Sequence, residues 1–482
     1  MKIKDLFKSL TTSRLLFIFA GIFLIGDFTF SFIQYYNTPL FGDLAGHVIP
    51  DEAIQPVFDD PFGFHLLKTG ESHSNPNRFF AHWAVADYFQ YFPLGLQNFT
   101  NPINSVYLTS AVAKLVIQLL FVYLLAFFIS GNKNPAKKNF LIVAVIIAPL
   151  FQVYGYWSRM GIVDKSIVYT FFYALPLVIL MLFFLPVFNR LRHRRKITTV
   201  HYFYMVPLIV ILPLSGPLVP AVILIVTIII FLDLFIRSEK RNPIAFLKSV
   251  PNSFYILLIP INFWSFYSLF LGFYNVNYSG EMITLAERFS RLPEGIFSQL
   301  FHSLGFPLML LFIGINTWYI KRINNDEGKK LIRILIWIGI FALLYILLLP
   351  FGGYRPYRPR IIRYDTFMPV TVALIYYFGA STYFLINHLK SINKQRYITA
   401  VLLCLLIFTF ADMKGIGRNR CERQAFEKMA RSDDSIITIP KDCFVLDWQN
   451  MHDYRQSEKK AELIYYWRIT DKKKLFYNEP SK

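Results

Sequence analysis

The sequence predicts an all-α polytopic membrane protein with about eleven transmembrane helices. Hydrophobic residues make up 55% of the 482 residues and charged residues only 17%, whereas soluble domains average about 25% charged residues. Apolar runs of membrane-spanning length recur along the chain. The formal net charge of +20 would fit a nucleic-acid-binding protein, but most basic residues stand in short loops between apolar runs, where they set orientation. We therefore expect no nucleic-acid partner.

Eleven apolar runs predict the transmembrane helices. The run 202–236 is too long for one ordinary span, and dividing it makes one half short. Both its flanks are basic, so a tight hairpin that turns at Pro213, Gly216 and Pro217 fits the charges better than a single pass, which remains the alternative. The predicted spans are residues 14–34, 105–130, 140–157, 166–187, 202–214, 218–236, 252–273, 297–320, 331–350, 366–388 and 396–412.

The distribution of Lys and Arg predicts the orientation. Loops rich in basic residues, such as 190–196, alternate with loops that are nearly uncharged or mixed. The N-terminus, with Lys2, Lys4 and Lys8, is therefore expected in the cytoplasm, and an odd number of spans places the C-terminus outside. The first apolar run lacks a small-residue cleavage site and is expected to be a retained anchor. These features predict a multi-pass protein of a bacterial inner (plasma) membrane with an extracytoplasmic C-terminus.

The chain is expected to form two domains. Residues 1–412 form a transmembrane domain that includes a large outer loop, 37–104, and residues 413–482 form a small extracytoplasmic C-terminal domain. The second domain contains Cys421 and Cys443. In an oxidising compartment these two residues could form a disulfide, and two free thiols are the alternative.

The first outer loop contains the strongest candidate for a functional residue. Asp43 follows the first span and is flanked by Gly42 and Gly46, where a substrate can approach the backbone closely. The alternative for a single Asp is a helix cap or a solvated turn. Further along, Arg78 and His82 are spaced to share one helical face. The aromatic residues that follow favour a helix in the headgroup layer.

Two shorter outer segments add charged candidates. The segment 158–165 offers a second carboxylate, Asp164, and two basic residues. The segment 351–365 carries four arginines on the side of the membrane where the orientation rule disfavours them. Arginine binds phosphate oxygens in a bidentate manner, so a phosphate is a natural counter-charge. Lipid headgroups and acidic residues of the first loop are the alternatives. Arg363 is favoured because it lies nearest the tenth span.

Together these features resemble the GT-C superfamily of integral-membrane glycosyltransferases over about the first 390 residues. Its members have a multi-helix bundle, a large first outer loop with interfacial helices, and an acidic residue just after the first span, where Asp43 lies. Many have a second acid between the third and fourth spans, which resembles Asp164. Many also have a phosphate-binding basic residue near a late helix, which resembles Arg363 with Tyr364 beside it. The C-terminal domain is smaller than the periplasmic domains of oligosaccharyltransferases.

The resemblance implies a polyprenyl-phosphate-linked sugar donor and a glycan, lipid or protein acceptor in the cell envelope, among membrane lipids. The expected catalytic residues are Asp43 and Asp164. Asp43 would act as general base on the acceptor hydroxyl, or would bind a divalent cation such as Mg²⁺ or Mn²⁺ together with Asp164. Arg363, with Arg360, would stabilise the charge on the leaving phosphate. The expected substrate-binding residues are His47, Arg78, His82, Arg159, Arg360, Arg363 and Tyr364.

Two other functions fit the helix count. A transporter or flippase of a lipid-linked glycan would place charged residues mid-span along a pathway, and Lys114 and Asp27 are the few candidates. A polymerase of surface glycan would share the substrates without needing an acid after the first span. The concentration of acids and arginines at one face of the membrane favours catalysis at that face.

Overall fold

The computed structural model describes residues 3–238, 242–276, 283–356 and 358–479. About 71% of the chain is helical, and the described residues contain one two-stranded sheet. Many of the helices are apolar and long. The prediction of an all-α polytopic architecture is therefore confirmed.

The first half of the chain forms twelve α-helices. A π-helix, Thr170–Ala174, joins α9 to α10 in one continuous helix, and a 3-10 helix, Ala148–Leu150, extends α7. The helices are α1 (Ile3–Tyr36), α2 (Leu44–Val48), α3 (Gln55–Asp59), α4 (Phe64–Thr69), α5 (Phe79–Leu96), α6 (Pro102–Ser130), α7 (Lys138–Ile147), α8 (Trp157–Met160), α9 (Ile167–Tyr169), α10 (Leu175–His193), α11 (Thr199–Ile211) and α12 (Leu218–Arg237).

The described residues of the second half contain ten α-helices and the two strands, which pair in parallel. Short 3-10 helices lie at Leu349–Gly352 and Tyr454–Ser457. The helices and strands are α13 (Pro243–Leu247), α14 (Asn252–Gly272), α15 (Leu285–Ser290), α16 (Leu292–Phe301), α17 (Gly305–Ile323), α18 (Asp326–Leu348), α19 (Tyr364–His388), α20 (Ser391–Ala411), α21 (Arg420–Arg431), β1 (Ile436–Ile439), α22 (Glu458–Tyr466) and β2 (Leu475–Asn478).

Eight helical segments in the described part of the chain are long and apolar enough to cross a membrane. A ninth would be the pair Leu285–Phe301 and Gly305–Ile323, which bends by 82° at a short break. The eight are Phe17–Tyr36, Pro102–Ser130, Ile167–Arg192, Leu218–Arg237, Asn252–Gly272, Asp326–Gly352, Tyr364–His388 and Ile392–Ala411.

All eleven predicted spans contain helix, but two of these helices are short. Helix α7 with its 3-10 extension covers Lys138–Leu150, and α11 covers Thr199–Ile211. The run 202–236 does form a hairpin, because α11 ends, the chain turns, and α12 starts at Leu218. The count of eleven, and the side of the membrane on which each loop lies, stay predictions.

Several polar side chains inside the bundle form hydrogen bonds with other helices, which compensates for the absence of water in a bilayer. On α1, Tyr35 donates a hydrogen bond to Gln118 of α6 at 2.8 Å, and the Gln118 amide donates to Ser31. On α17, the amide of Asn316 donates to Ser381 of α19, and its carbonyl accepts from Tyr397 of α20. These hydrogen bonds hold α1 and α19 against their neighbouring helices. Helix α1 ends, and helix α19 begins, at the same end of the bundle.

The C-terminal region, residues 412–479, packs on the end of the bundle where α1 ends. The fully buried carboxylate of Glu422 in α21 joins three separate segments there. It accepts hydrogen bonds from the Leu40 amide at 2.8 Å, the Tyr107 hydroxyl at 2.7 Å and the Leu446 amide at 3.1 Å. The first outer loop, α6 and the C-terminal region therefore share one buried anchor.

A disulfide joins Cys421 to Cys443, and this confirms one of the two alternatives that the sequence left open. The bond ties α21 to the irregular segment that follows β1. The division of the chain into domains 1–412 and 413–482 stays a prediction.

The predicted orientation can be tested with two single-cysteine labels. We expect a membrane-impermeant maleimide to label Lys441→Cys in intact cells and to leave Arg194→Cys unlabelled until the cells are permeabilised. Arg194 belongs to the basic loop 190–196, and Lys441 is an exposed residue of the C-terminal region, which the odd number of spans places outside. Labelling of Arg194→Cys from outside would overturn the topology.

Candidate functional site

A cavity of about 850 Å³ lies at the end of the bundle where α1 ends and α19 begins. Its lining combines charges of both signs with aromatic rings, an arrangement suited to a polar ligand that carries an anionic group. The charged and aromatic side chains in the lining are Asp43, Asp51, Asp164, Asp365, Arg78, Lys165, Arg355, Arg358, Arg363, His47, Phe41, Trp157, Tyr169, Phe172, Tyr173, Tyr364 and Trp448.

Six of the nine predicted site residues line this cavity. His82 lies immediately behind the lining, with its ring centroid 4.8 Å from that of His47. Arg159 and Arg360 are not part of the lining, and the exposed Arg360 instead binds Glu294 at 3.2 Å. Their roles as substrate ligands stay predictions without support from the geometry. The six residues that the structure brings together are Asp43, His47, Arg78, Asp164, Arg363 and Tyr364.

Asp43 occupies the N-cap position of α2, yet its side chain makes no capping hydrogen bond. Its side chain is instead exposed at the cavity, beside that of Trp448. Burial raises the pKa of Asp43, and the negative charge of Asp447 raises it further, while Arg358 opposes both. The group is accessible from the cavity although protein atoms surround it, so it combines access with partial loss of hydration.

Asp164 is buried, and both of its carboxylate oxygens hold other groups in place. One accepts the backbone N–H of Ser166 at 2.7 Å, and the other accepts the hydroxyl of Tyr364 at 2.7 Å. Burial raises the pKa of Asp164 to about 6. The geometry therefore gives Asp164 a clear positioning role at the start of α19, beside its predicted catalytic one.

The divalent cation predicted for Asp43 and Asp164 has no geometric support. Both oxygens of Asp164 already accept hydrogen bonds. Among the described residues there is also no group of three or more His, Cys, Asp or Glu side chains that could hold a metal ion. The cation stays a prediction, and no step below depends on it.

Arg363 is bound by a partner that was not recognised in the sequence. Its guanidinium donates two hydrogen bonds to the Asp365 carboxylate, from Nε to Oδ1 at 3.0 Å and from Nη2 to Oδ2 at 2.9 Å. Burial lowers the pKa of Arg363, but the charge and hydrogen bonds of Asp365 outweigh burial and leave it above its ordinary value. Arg358 also approaches Asp365, at 3.8 Å, and donates a hydrogen bond to Tyr169. The negative charge that balances these arginines thus comes from Asp365, which belongs to the same segment, 351–365.

A second cluster consists of His47, Arg78 and His82, and we call it the His–Arg cluster. Unlike the pair formed by Arg363 and Asp365, it contains no acidic residue. Arg78 is the N-cap residue of α5, and its carbonyl accepts the His82 amide. Burial lowers the pKa of His47 to about 3 and lowers that of His82 as well, so both imidazoles are neutral. Both rings pack against Phe172.

Several cavity residues could not be identified from the sequence. Trp448 comes from the C-terminal region, stacks on Phe41 with the ring planes 1° apart, and packs against Tyr169. The indole occupies the space that a Cβ at Gly42 would need, so only glycine fits there. Phe172 belongs to the π-helix, a local irregularity that often marks a functional site. That interruption of the helix carries no sequence signature.

Comparisons of the chain with protein-family models, with curated proteins and with solved structures found no match. The fold and the cavity therefore define the class on their own. The chain is an all-α protein of the multi-pass membrane class, with a charged, aromatic-walled cavity between the loops at one end of its helices.

Proposed function

We propose that this chain is a membrane glycosyltransferase. It would move a sugar from a polyprenyl-phosphate-linked donor to an acceptor at the outer face of a bacterial inner membrane. The main support is that Asp43, Asp164 and Arg363, which are far apart in the sequence, line one cavity. An accessible carboxylate and several guanidiniums around a single space suit a reaction in which a proton leaves one reactant and negative charge grows on the other.

The donor would place its phosphate in the cavity and its lipid tail in the bilayer. Arg358 and Arg363 provide positive charge near the start of α19. A narrow apolar gap adjoins the cavity through Phe172 and Tyr173 and is otherwise lined by residues of α10, α12 and α19. A prenyl chain that follows this gap would have to displace the side chains that line it.

In the proposed reaction, the acceptor hydroxyl gives its proton to Asp43 as its oxygen forms a bond with C1 of the sugar. The bond between C1 and the phosphate oxygen breaks, and its electron pair leaves with the polyprenyl phosphate. The guanidiniums of the lining stabilise the charge that grows on that phosphate. Trp448 and Trp157 line the cavity and would offer apolar surface to the sugar.

Transfer by the purified protein tests this proposal. The full chain in lipid nanodiscs would be incubated with a panel of radiolabelled polyprenyl-phosphate sugars and with glycan, lipid and peptide acceptors. We expect one donor to give a labelled product with wild-type protein and none with Asp43→Asn. Donor binding without transfer from any donor would overturn the enzyme and favour a transporter or flippase.

A further inference from the structure

Arg78 is a buried arginine that has no ion-pair partner among the described residues. Only 5% of its surface is exposed, and it lines the cavity. Within the described residues, no carboxylate lies within ion-pair distance of its guanidinium, and its Nε has no hydrogen-bond acceptor. Arg363, at the same cavity, differs because Asp365 binds two of its nitrogens.

The surroundings of Arg78 do not compensate its charge. Burying an ionised group without a partner is among the most unfavourable arrangements in a protein. Two titratable side chains beside Arg78, His47 and His82, are neutral, and both of their rings pack against Phe172. Folding thus retains an uncompensated positive charge at the cavity wall, and a ligand that brings negative charge would relieve it.

We propose that Arg78 is the primary anion-binding residue of the cavity and that it binds a phosphoryl group. A guanidinium can donate two parallel hydrogen bonds to two phosphoryl oxygens. The choice of a lipid-linked phosphate as the ligand rests on the proposed function. The inference assigns the phosphate to Arg78 and not to Arg363, because the guanidinium of Arg363 is already bound to Asp365.

Two further features support a phosphoryl group at this place. His47 lines the cavity, and its buried Nδ1 has no hydrogen-bond partner in the described structure. A neutral imidazole retains one N–H, which can donate to a phosphoryl oxygen. Arg78 also stands at the N-terminus of α5, an 18-residue helix, and helix N-termini favour anions.

The two arginine positions belong to one region of the cavity. Arg78, Arg358 and Arg363 all line the cavity together with Tyr173. A phosphate bound by Arg78 would therefore share the cavity with Arg358 and Arg363, whose charges Asp365 partly balances. In this arrangement Arg363 and Asp365 position the start of α19, and Arg78 contacts the ligand.

The test is a binding titration of the full chain in phosphatidylcholine nanodiscs with undecaprenyl phosphate as the probe. We expect Arg78→Gln to weaken binding about 10- to 100-fold, since a hydrogen bond to a charged group typically accounts for such a factor. Arg78→Lys should be intermediate, because an ammonium cannot fork. The matched control is Arg420→Gln, which removes an exposed arginine that is outside the lining and is not among the predicted site residues, and it should leave binding unchanged.

The thermal stability of the ligand-free protein separates binding from structure. Because Arg78 is unpaired, Arg78→Gln should leave Tm unchanged or raise it. A lowered Tm together with unchanged affinity for undecaprenyl phosphate would overturn the inference. Competition by inorganic phosphate would support recognition of the phosphoryl group itself. Weakened binding in phosphatidylglycerol nanodiscs would identify ordinary lipid headgroups as a second source of the same group.

The outcome for Arg78 and the outcome for the transfer reaction are independent. Arg78-dependent binding without transfer from any donor would support the anion site and overturn the glycosyltransferase. Transfer with affinity for undecaprenyl phosphate unaffected by Arg78→Gln would support the enzyme and overturn the anion site.

Discussion

Replacing Asp43 by Asn is expected to lower the rate of glycosyl transfer by about 10²- to 10⁴-fold, the usual effect of removing one acid–base group. Affinity for polyprenyl phosphate should stay unchanged, because the phosphate lies at the arginines. Asn keeps the size of the side chain but accepts no proton at neutral pH. Turnover at the wild-type rate in Asp43→Asn would refute the assignment of the general base.

The matched control is Asp51→Asn. Asp51 lines the same cavity, but one oxygen accepts the amides of Ala53 and Ile54, an interaction that Asn can keep through its carbonyl. We expect this variant to transfer sugar at nearly the wild-type rate. Equal losses in both variants would indicate a general requirement for negative charge in the cavity and not a base at Asp43.

The pH profile gives a second measurement of the same role. A general base acts only when it is unprotonated, so the rate should fall as the pH drops through the pKa of Asp43. Because that pKa is raised above its ordinary value of 3.8, the fall should begin at a higher pH than for an exposed carboxylate. A flat acid limb down to the pH of unfolding would contradict this.

Replacing Asp365 by Ala is expected to cause the largest loss of stability near the cavity. Asp365 is 2% exposed and forms the forked pair with Arg363. Removing one partner of a fully buried pair costs about 3–5 kcal/mol, and the partial exposure of Arg363 reduces this to about 2–3 kcal/mol. Thermal unfolding in detergent would measure the effect as a lowered Tm.

A double-mutant cycle distinguishes the pair from its separate members. Arg363→Ala leaves the buried Asp365 without its forked partner and with Arg358 at 3.8 Å, so it should lower Tm and also transfer. Arg363→Lys should rescue both only in part because Lys cannot donate two parallel hydrogen bonds. The double variant Arg363→Ala, Asp365→Ala should be less destabilised than the sum of the two single changes. Additive losses would mean that the two side chains do not depend on each other.

Hydropathy predicted the helices well because each long apolar run must form all its backbone hydrogen bonds internally. Hydropathy was less accurate where side chains, and not helical carbonyl groups, accept the hydrogen bonds of the backbone amides. The run predicted as residues 140–157 stops being helical after Leu150. Asp412 accepts the amides of Tyr154 and Gly155, and Gln152 accepts that of Tyr156. These long-range and local bonds let an apolar, aromatic segment remain irregular.

The candidate site was predictable to the extent that its residues are marked by their position along the chain. Asp43 directly follows a span, and Arg363 directly precedes one, so both are placed at an end of the bundle by hydropathy alone. Trp448 has no such marker, since its place in the lining depends on how the C-terminal region docks. Asp365 was visible in the sequence, but only the first turn of α19 directs it back toward Arg363.

The hydrogen bonds that the buried Glu422 carboxylate accepts determine when, during synthesis, the cavity can be completed. Glu422 lies 382 residues after Leu40, whose amide it binds. At about 5–20 residues per second, roughly 20–75 s separate the emergence of these two residues from the ribosome. Throughout this interval the nascent first loop has Asp43 and the uncompensated Arg78 but lacks Trp448 and the anchor. The cavity can therefore be completed only after the last membrane helix has been inserted. Chains that stall before α21 would carry the charged residues of the site but would lack Trp448.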